Sequence, residues 1–228
     1  MKYDFSEYRK SSIQAKLDII GAQPLDLLVV GATGSGKSTT LNTILQRNEC
    51  KIGYGSEPET MDISYYMVND FFRIWDSPGL GDGIEIDKNH IRKISDLLNK
   101  KYQLNYVKYG FIDMVLIIID ASSRDLGTVN DLINNVILKH ISPDRVLIAI
   151  NKADVAMYGR HWDFNLNQPD SVLSQTLEQK SLSVMRRIEE STGLNIPTPV
   201  YYSAEYEYHI TQLYDFIIMN MPTEKRYC

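Results

Sequence analysis

The chain has 228 residues, of which 24 are basic and 29 acidic, so its net charge is −5. This balance excludes a globally basic nucleic-acid binder, and no DNA binding is evident. Two cysteines cannot form a disulfide framework and favour a reducing, cytoplasmic location. The longest apolar runs, 27–30 and 114–119, are far shorter than a membrane span. We therefore expect no transmembrane segment, and no lipid anchor because Cys228 is last rather than fourth from the end.

Apolar runs that predict strands alternate along the chain with segments of helical spacing. In chain order we predict a strand at 25–30, a helix at 37–46, a hairpin of strands 62–68 and 71–76, and strands at 114–120, 145–151 and 200–203. Further helices are predicted from apolar residues at helical spacing: Ile13, Leu17 and Ile20; Ile91, Ile94 and Leu98; Val129, Leu132, Ile133 and Val136; Leu177, Val184 and Ile188; Ile210, Leu213 and Ile217. This alternation predicts a three-layer α/β/α fold with a six-stranded, mostly parallel sheet and one antiparallel edge strand.

A glycine-rich loop connects the first predicted strand to the helix at 37–46. Its sequence, Gly31-Ala-Thr-Gly-Ser-Gly-Lys-Ser38, fits the phosphate-loop pattern G-x-x-x-x-G-K-[ST] in the required strand–loop–helix context. Backbone N–H groups and the helix N-terminus would hold phosphates, Lys37 would reach the β- and γ-phosphates, and Ser38 would ligate Mg²⁺. The pattern indicates a nucleoside triphosphate without identifying its base. The predicted contacts are Gly31, Ala32, Thr33, Gly34, Ser35, Gly36, Lys37, Ser38 and Thr39.

The hairpin ends in a second motif of the phosphate side. Asp76-Ser-Pro-Gly79 has the form D-x-x-G, which places Asp76 near the metal, through water, and lets the Gly79 N–H face a γ-phosphate. Between the phosphate loop and the hairpin, the hydroxyl and carbonyl of Thr60 are candidates to close over Mg²⁺ and γ-phosphate. Ser56 and Ser64 are weaker candidates for the same role, and a plain surface-loop threonine is the alternative.

Two further motifs point to the base. Asn151-Lys-Ala-Asp154 ends an apolar strand, and its carboxylate would accept from guanine N1–H and N2–H₂ together, a donor pair that adenine lacks. The stem of Lys152 would lie over the base plane. Ser203-Ala204 follows the last strand, where a backbone N–H would contact guanine O6. The nearby tyrosines at 201, 202, 206 and 208 favour packing of the last strand and helix over base stacking.

Together these motifs resemble GTPases of the translation-factor-like P-loop class over about residues 25–220. The stretches GATGSGKSTTLN, GSEPET, WDSPGLGDG and 159–163 are similar to bacterial YfjP/YeeP-like GTPases of the Era-like group, which share features with immunity-related GTPases. The resemblance implies a P-loop G domain at 25–221, a helical extension at 1–24, an insertion around 155–190 and a tail at 222–228. It implies Mg²⁺-dependent hydrolysis of GTP to GDP, with catalytic roles for Lys37, Thr60 and Gly79 and metal roles for Ser38, Thr60 and Asp76.

The residue after D-x-x-G departs from the Ras-like pattern. Ras-like GTPases carry there a glutamine that orients the attacking water, whereas this chain has Leu80, which cannot hydrogen-bond to water. We therefore expect slow hydrolysis by the isolated protein, raised by a homodimer or by an unidentified activating or effector protein. Two alternatives remain open. One is a nucleotide-gated interaction switch whose segments 55–66 and 79–90 order around γ-phosphate, and the other is a dynamin-like, membrane-associated assembly.

Overall fold

The computed structural model describes residues 3–21, 24–46, 63–81, 83–124 and 126–227. Its α-helices are α1 (Lys10–Ile20), α2 (Lys37–Leu45), α3 (Ile84–Asn99), α4 (Gly127–Asn135), α5 (Ser171–Thr192) and α6 (Ile210–Met219), and three short 3₁₀ helices span Ile137–Lys139, Pro143–Arg145 and Ala153–Gly159. Its strands are β1 (Leu25–Gly31), β2 (Ser64–Asn69), β3 (Phe72–Asp76), β4 (Lys101–Leu104), β5 (Val107–Gly110), β6 (Met114–Asp120), β7 (Val146–Asn151), β8 (Trp162–Asp163), β9 (Gln168–Pro169) and β10 (Val200–Tyr201).

Six of these strands form one sheet in the order β10-β7-β6-β1-β3-β2. All neighbours are parallel except β2, which pairs antiparallel with β3 at the edge. This confirms the predicted α/β architecture with its six-stranded sheet. The register places Val29 beside Asp76 and Asp120 beside Asn151, so polar residues that end different strands meet at one edge of the sheet.

The central strands consist of unbroken runs of apolar residues because helices cover both faces of the sheet. Side chains of β6 alternate between two buried clusters, with Val115 and Ile117 in one and Leu116 and Ile118 in the other. Helices α3, α4 and α5 contribute to the first cluster, and α1, α2 and α6 to the second. Each buried large aliphatic side chain contributes about 1.5–3 kcal/mol relative to exposure. The loops that follow the carboxyl ends of the strands are therefore attached to a sheet stabilised by burial on both faces.

Two small hairpins were not predicted from the sequence. The first pairs β4 with β5; each of these strands has only four residues, and every residue of β4 is exposed. The second pairs the two-residue strands β8 and β9 within the stretch expected to be an insertion. The last sheet strand is also shorter than predicted, because Ser203 leaves the sheet and exchanges two backbone hydrogen bonds with Tyr208, each 3.0 Å long.

Both ends of the described chain pack on the sheet domain. Helix α1 buries Ile13 and Leu17, while Arg9 forms an ion pair with Asp215 of α6, at 2.8 Å between Nε and Oδ1. At the other end, Arg226 is buried and its Nη1 and Nη2 donate to the carbonyls at 140 and 98, at 2.7 and 2.9 Å. The segment expected to be a tail thus includes a buried anchor. Among the helices described, none combines the length and the apolar character needed to cross a membrane.

Candidate nucleotide site

The motifs converge at the carboxyl edge of the sheet, where α/β folds of this kind bind ligands. The phosphate loop joins β1 to α2, Asp76 ends β3, Asn151 ends β7, and Ser203 follows β10 by two residues. The structure therefore brings together residues from four separate strand ends. Thr60 and Ser56 lie outside the described residues, so their predicted roles remain predictions.

Backbone conformation accounts for two glycines of the phosphate loop, and close packing also accounts for one of them. Gly34 and Gly36 adopt φ of 77° and 87°, a region that side chains with a Cβ rarely occupy. At Gly36 an added Cβ would also collide with the side-chain amide of Asn151. Lys37, at the first turn of α2, is buried, and its Nζ donates to the carbonyls of Gly31 and Ala32 at 3.1 and 3.0 Å. The ammonium group is thus held over its own loop.

Ser38 and Asp76 place oxygen atoms side by side at the predicted metal position. Burial raises the pKa of Asp76 to about 6, while the charge of Lys37 and a hydrogen bond from Ser38 act in the opposite direction. Its Oδ1 is buried and has no hydrogen-bond partner among the described residues. A buried carboxylate oxygen without a partner, next to a serine hydroxyl, fits a hard cation such as Mg²⁺, which prefers oxygen ligands.

An open cleft of about 450 Å³ lies between the phosphate loop and the D-x-x-G segment. Its lining consists of Thr33, Gly34, Lys37, Ser38, Ser64, Asp76, Ser77, Pro78, Gly79 and His90. The candidate residues of the phosphate side therefore share one cavity. Gly79 backs directly onto Thr33, where a Cβ would collide with the threonine. His90, from α3, was not among the residues predicted from the sequence.

Leu80 belongs to the core rather than to the cleft. It is 3% exposed, and its backbone pairs with the phosphate loop. The Leu80 N–H donates to Gly31 at 3.3 Å, and its carbonyl accepts from the Thr33 N–H at 2.7 Å. Leu80 therefore stabilises the phosphate loop through its backbone, while its side chain packs in the core.

Asn151 connects the phosphate loop to the loop that follows β10. Its Nδ2 donates to the Ser35 carbonyl at 3.0 Å, and its Oδ1 accepts from the Ala204 N–H at 3.0 Å. All three residues are almost completely buried. The backbone N–H of Ala204, one of the two expected to contact guanine O6, is therefore hydrogen-bonded to Asn151, and that of Ser203 to the Tyr208 carbonyl.

The predicted guanine-selecting residues form a second contact pair. The hydroxyl of Ser203 donates to Oδ1 of Asp154 at 2.6 Å, and both residues are buried. Lys152 pairs with Asp120 at 2.8 Å between Nζ and Oδ2, which fixes the direction of its stem. Burial of Asp120 opposes its ionisation, but hydrogen bonds from Lys152 and Ser122 outweigh it and lower the pKa of that carboxyl.

The hairpin β8–β9 packs against the loop that follows β10, on the side of the site predicted to bind the base. Trp162 is 5% exposed, and its ring lies 5.6 Å from that of Tyr206 and 5.4 Å from that of Tyr208. Tyr208 in turn stacks on His209 at 3.8 Å. Tyr202 is fully buried and hydrogen-bonds to Thr40 at 2.9 Å, so these tyrosines pack the last strand and helix. The loop that carries Ser203 is therefore held on both sides.

Comparison with known proteins identifies relatives of this arrangement. Residues 26–152 match the family described as 50S ribosome-binding GTPase. GTPase Der of Chlamydia caviae is 25% identical over 214 residues, which cover 87% of this chain and 43% of Der. The probable GTP-binding protein EngB of Bacillus cytotoxicus is 25% identical over 170 residues, covering 74% of this chain and 79% of EngB. The chain thus spans less than half the length of Der.

Solved structures share the fold. Toc33 from Arabidopsis thaliana, in complex with GDP and Mg²⁺, superposes with a TM-score of 0.63 at 14% identity, covering 98% of this chain and 96% of Toc33. The bacterial dynamin GTPase LeoA from ETEC gives 0.54 at 14% identity, covering 96% of this chain and 45% of LeoA. At these identities the likeness establishes the architecture alone.

Proposed function

The chain belongs to the 50S ribosome-binding GTPase family, and from this premise we propose that it hydrolyses GTP with Mg²⁺, slowly when alone. We further propose that a homodimer or a partner protein raises the rate. Within the family we place it near the YfjP/YeeP-like GTPases, with a G domain at 25–221 and a cytoplasmic location.

The phosphate side would act by positioning and electrostatics. The backbone of the phosphate loop would hold the β-phosphate, and the preorganised Lys37 would offset charge on the β- and γ-phosphates. Ser38 and Thr60 would hold Mg²⁺ directly and Asp76 would hold it through water, and the bound metal would neutralise developing negative charge. The Gly79 N–H would face the γ-phosphate, because Gly79 lies in the wall of the same cleft as Lys37.

On the base side, the Asp154 carboxylate would accept from guanine, and the stem of Lys152 would cover the ring. The hydrogen bond from Ser203 fixes the rotation of this carboxylate before any base arrives. Preorganisation of this kind reduces the ordering that binding requires. Ser203 would therefore act through Asp154.

The observation that carries this proposal is the position of Asn151. Its one side chain holds the phosphate loop through Ser35 and the base loop through Ala204. The two halves of the site are thereby fixed relative to each other, as recognition of a nucleotide at both ends requires.

The sharpest test is Asp154→Asn, scored by base preference. Loss of the carboxylate should weaken GTP binding by about 1–3 kcal/mol, or roughly 5- to 150-fold, and should favour xanthosine triphosphate. Xanthine presents an oxygen where guanine has its N2 amine, and the asparagine amide can donate to that oxygen. Asp144→Asn, on an exposed aspartate, is the matched control. An unchanged preference for GTP over xanthosine triphosphate would disprove the assigned role.

Activation by association is tested by phosphate release per mole of protein across a wide range of protein concentration. The reason to expect it is the burial of Leu80, which leaves the residue after D-x-x-G unable to orient water. Specific activity that climbs with concentration supports a homodimer. A slow and flat rate supports a separate partner. Rapid turnover by a dilute, demonstrably monomeric sample contradicts both.

A second candidate function, the nucleotide-gated switch, draws on two contacts of α3. The Gly81 N–H donates to Asp87 at 2.9 Å, and the Gly79 carbonyl lies 2.7 Å from Nδ1 of His90. A shift of Gly79 towards γ-phosphate would therefore move this helix. Capture of a binding protein with a non-hydrolysable GTP analogue but not with GDP supports the switch, and equal capture in both states excludes it.

A further inference from the structure

The cleft contains a titratable side chain that the roles above do not use. Of the described residues lining it, Lys37, Asp76 and His90 carry titratable groups. Lys37 is assigned to the phosphates and Asp76 to the metal. His90 projects from the second turn of α3 and is only half-buried, so it combines a defined position with access to the cavity.

The contact of His90 with Gly79 determines which ring nitrogen carries the proton. Nδ1 lies 2.7 Å from the Gly79 carbonyl oxygen, and a carbonyl can only accept a hydrogen bond. Nδ1 must therefore be protonated. In the neutral imidazole, Nε2 then has a lone pair and serves as an acceptor.

Position and tautomer together suit a water molecule at the γ-phosphate. We propose that Nε2 of His90 accepts a hydrogen bond from the attacking water and orients it, taking the place that Leu80 cannot fill. This role rests on the proposed hydrolysis of GTP in this cleft and concerns the slow turnover of the isolated protein, which association would then raise. The imidazole is hydrogen-bonded to Gly79, whose N–H would face the γ-phosphate. The position of the ring relative to that phosphate is therefore set by Gly79.

The loop at residues 79–81, to which His90 is hydrogen-bonded, is itself held by hydrogen bonds on two sides. One helical turn before His90, the Asp87 carboxylate accepts from the Gly81 N–H, so two hydrogen bonds join the loop to the same face of α3. On the opposite side, Leu80 pairs with the phosphate loop. The loop at 79–81 is thus connected both to α3 and to the phosphate loop, and these connections together fix the position of the imidazole.

The chemical step balances without any change in His90. The water oxygen forms a bond to the γ-phosphorus, and the bond from that phosphorus to the β–γ bridging oxygen breaks. GDP leaves with that electron pair, and both water protons end on inorganic phosphate. His90 directs the lone pair of the water towards phosphorus and returns to its starting tautomer.

The test compares two side chains that each replace one ring nitrogen. The amide of asparagine reaches about as far as Nδ1, so His90→Asn retains a donor for Gly79 and lacks an acceptor at the place of Nε2. The longer glutamine in His90→Gln reaches the place of Nε2. His90→Ala removes both atoms, and His140→Gln is the control, on a histidine that is not part of the cleft lining.

The readouts are single-turnover phosphate release with Mg²⁺ and affinity for a fluorescent GTP analogue. We expect release to slow by about 100-fold in His90→Ala, the low end of the range for general acid–base groups, because His90 orients the water without taking its proton. His90→Asn should be equally slow and His90→Gln should recover at least tenfold, with affinity in all variants within threefold of the wild type.

Three results separate the possibilities. Recovery by asparagine rather than glutamine would overturn the role and assign His90 to support of Gly79. Release at the wild-type rate in all three variants would also overturn it while leaving the proposed function intact. Absence of hydrolysis by the wild-type protein at every concentration would instead overturn the proposed function, and the role of His90 with it.

Discussion

Replacement of Asn151 by alanine should separate the two halves of the site and weaken the fold. The side chain is 2% exposed and satisfies the Ser35 carbonyl and the Ala204 N–H, both through 3.0 Å hydrogen bonds. In Asn151→Ala these two buried backbone groups lose their partner. Each unsatisfied buried group costs about 1–3 kcal/mol, so the free energy of unfolding should fall by about 2–6 kcal/mol. That is a large share of the roughly 5–15 kcal/mol of an ordinary domain.

Equilibrium urea unfolding without nucleotide measures this loss directly, with the transition midpoint and slope compared between variant and wild type. Asn134→Ala is the matched control, since Asn134 makes one exposed contact to Ser191 at 3.4 Å. The control should change stability by no more than about 0.5 kcal/mol. A loss below about 1 kcal/mol in Asn151→Ala would refute the reasoning, because it would mean that neither loop depends on this side chain.

Three further predictions concern Asp113, which directly precedes β6, Leu80 and two glycines of the phosphate loop. Burial raises the pKa of Asp113 from 3.8 to about 7, so the folded state holds a proton that the unfolded state releases, and stability should fall by about 4 kcal/mol as pH rises from about 4 to 7. Asp113→Asn should flatten this dependence in unfolding measured from pH 4 to 8, and a slope equal to that of the wild type would contradict the assignment. Leu80→Gln should bury an amide in the core, lower stability by about 1–3 kcal/mol and leave phosphate release no faster; accelerated release would show that residue 80 reaches the water. Gly36→Ala should weaken GTP binding more than Gly34→Ala, because both have positive φ but only an alanine at 36 collides with Asn151; equal affinities would argue against that contact.

The position of an element could be predicted without a structure where it depends only on residues that are neighbours in the sequence. The phosphate loop is a local strand–loop–helix pattern, so its position followed from residues 25–46 alone. The buried strands β6 and β7 were equally clear, because sheets covered on both faces select unbroken apolar runs. The end of β3 at Asp76 followed from the hairpin that precedes it.

Residues whose role depends on tertiary contacts could not be predicted in the same way. His90 lies eleven residues after Gly79 and on another element, and no motif joins the two. Sequence spacing does not encode the burial of Leu80 in the core or its backbone pairing with Ala32. Arg226 looks like an ordinary surface charge until its contacts with the carbonyls at 98 and 140 are seen.

The pairing of α1 with α6 sets an order of events during synthesis. Arg9 and Asp215 are 206 positions apart, and at about 5–20 residues per second a ribosome takes about 10–40 s to make the chain between them. Throughout that interval Ile13 and Leu17 have no α6 to pack against. One face of the sheet can therefore close only after nearly the whole chain has emerged, and a nascent chain stalled before α6 would present that uncovered face to chaperones and proteases.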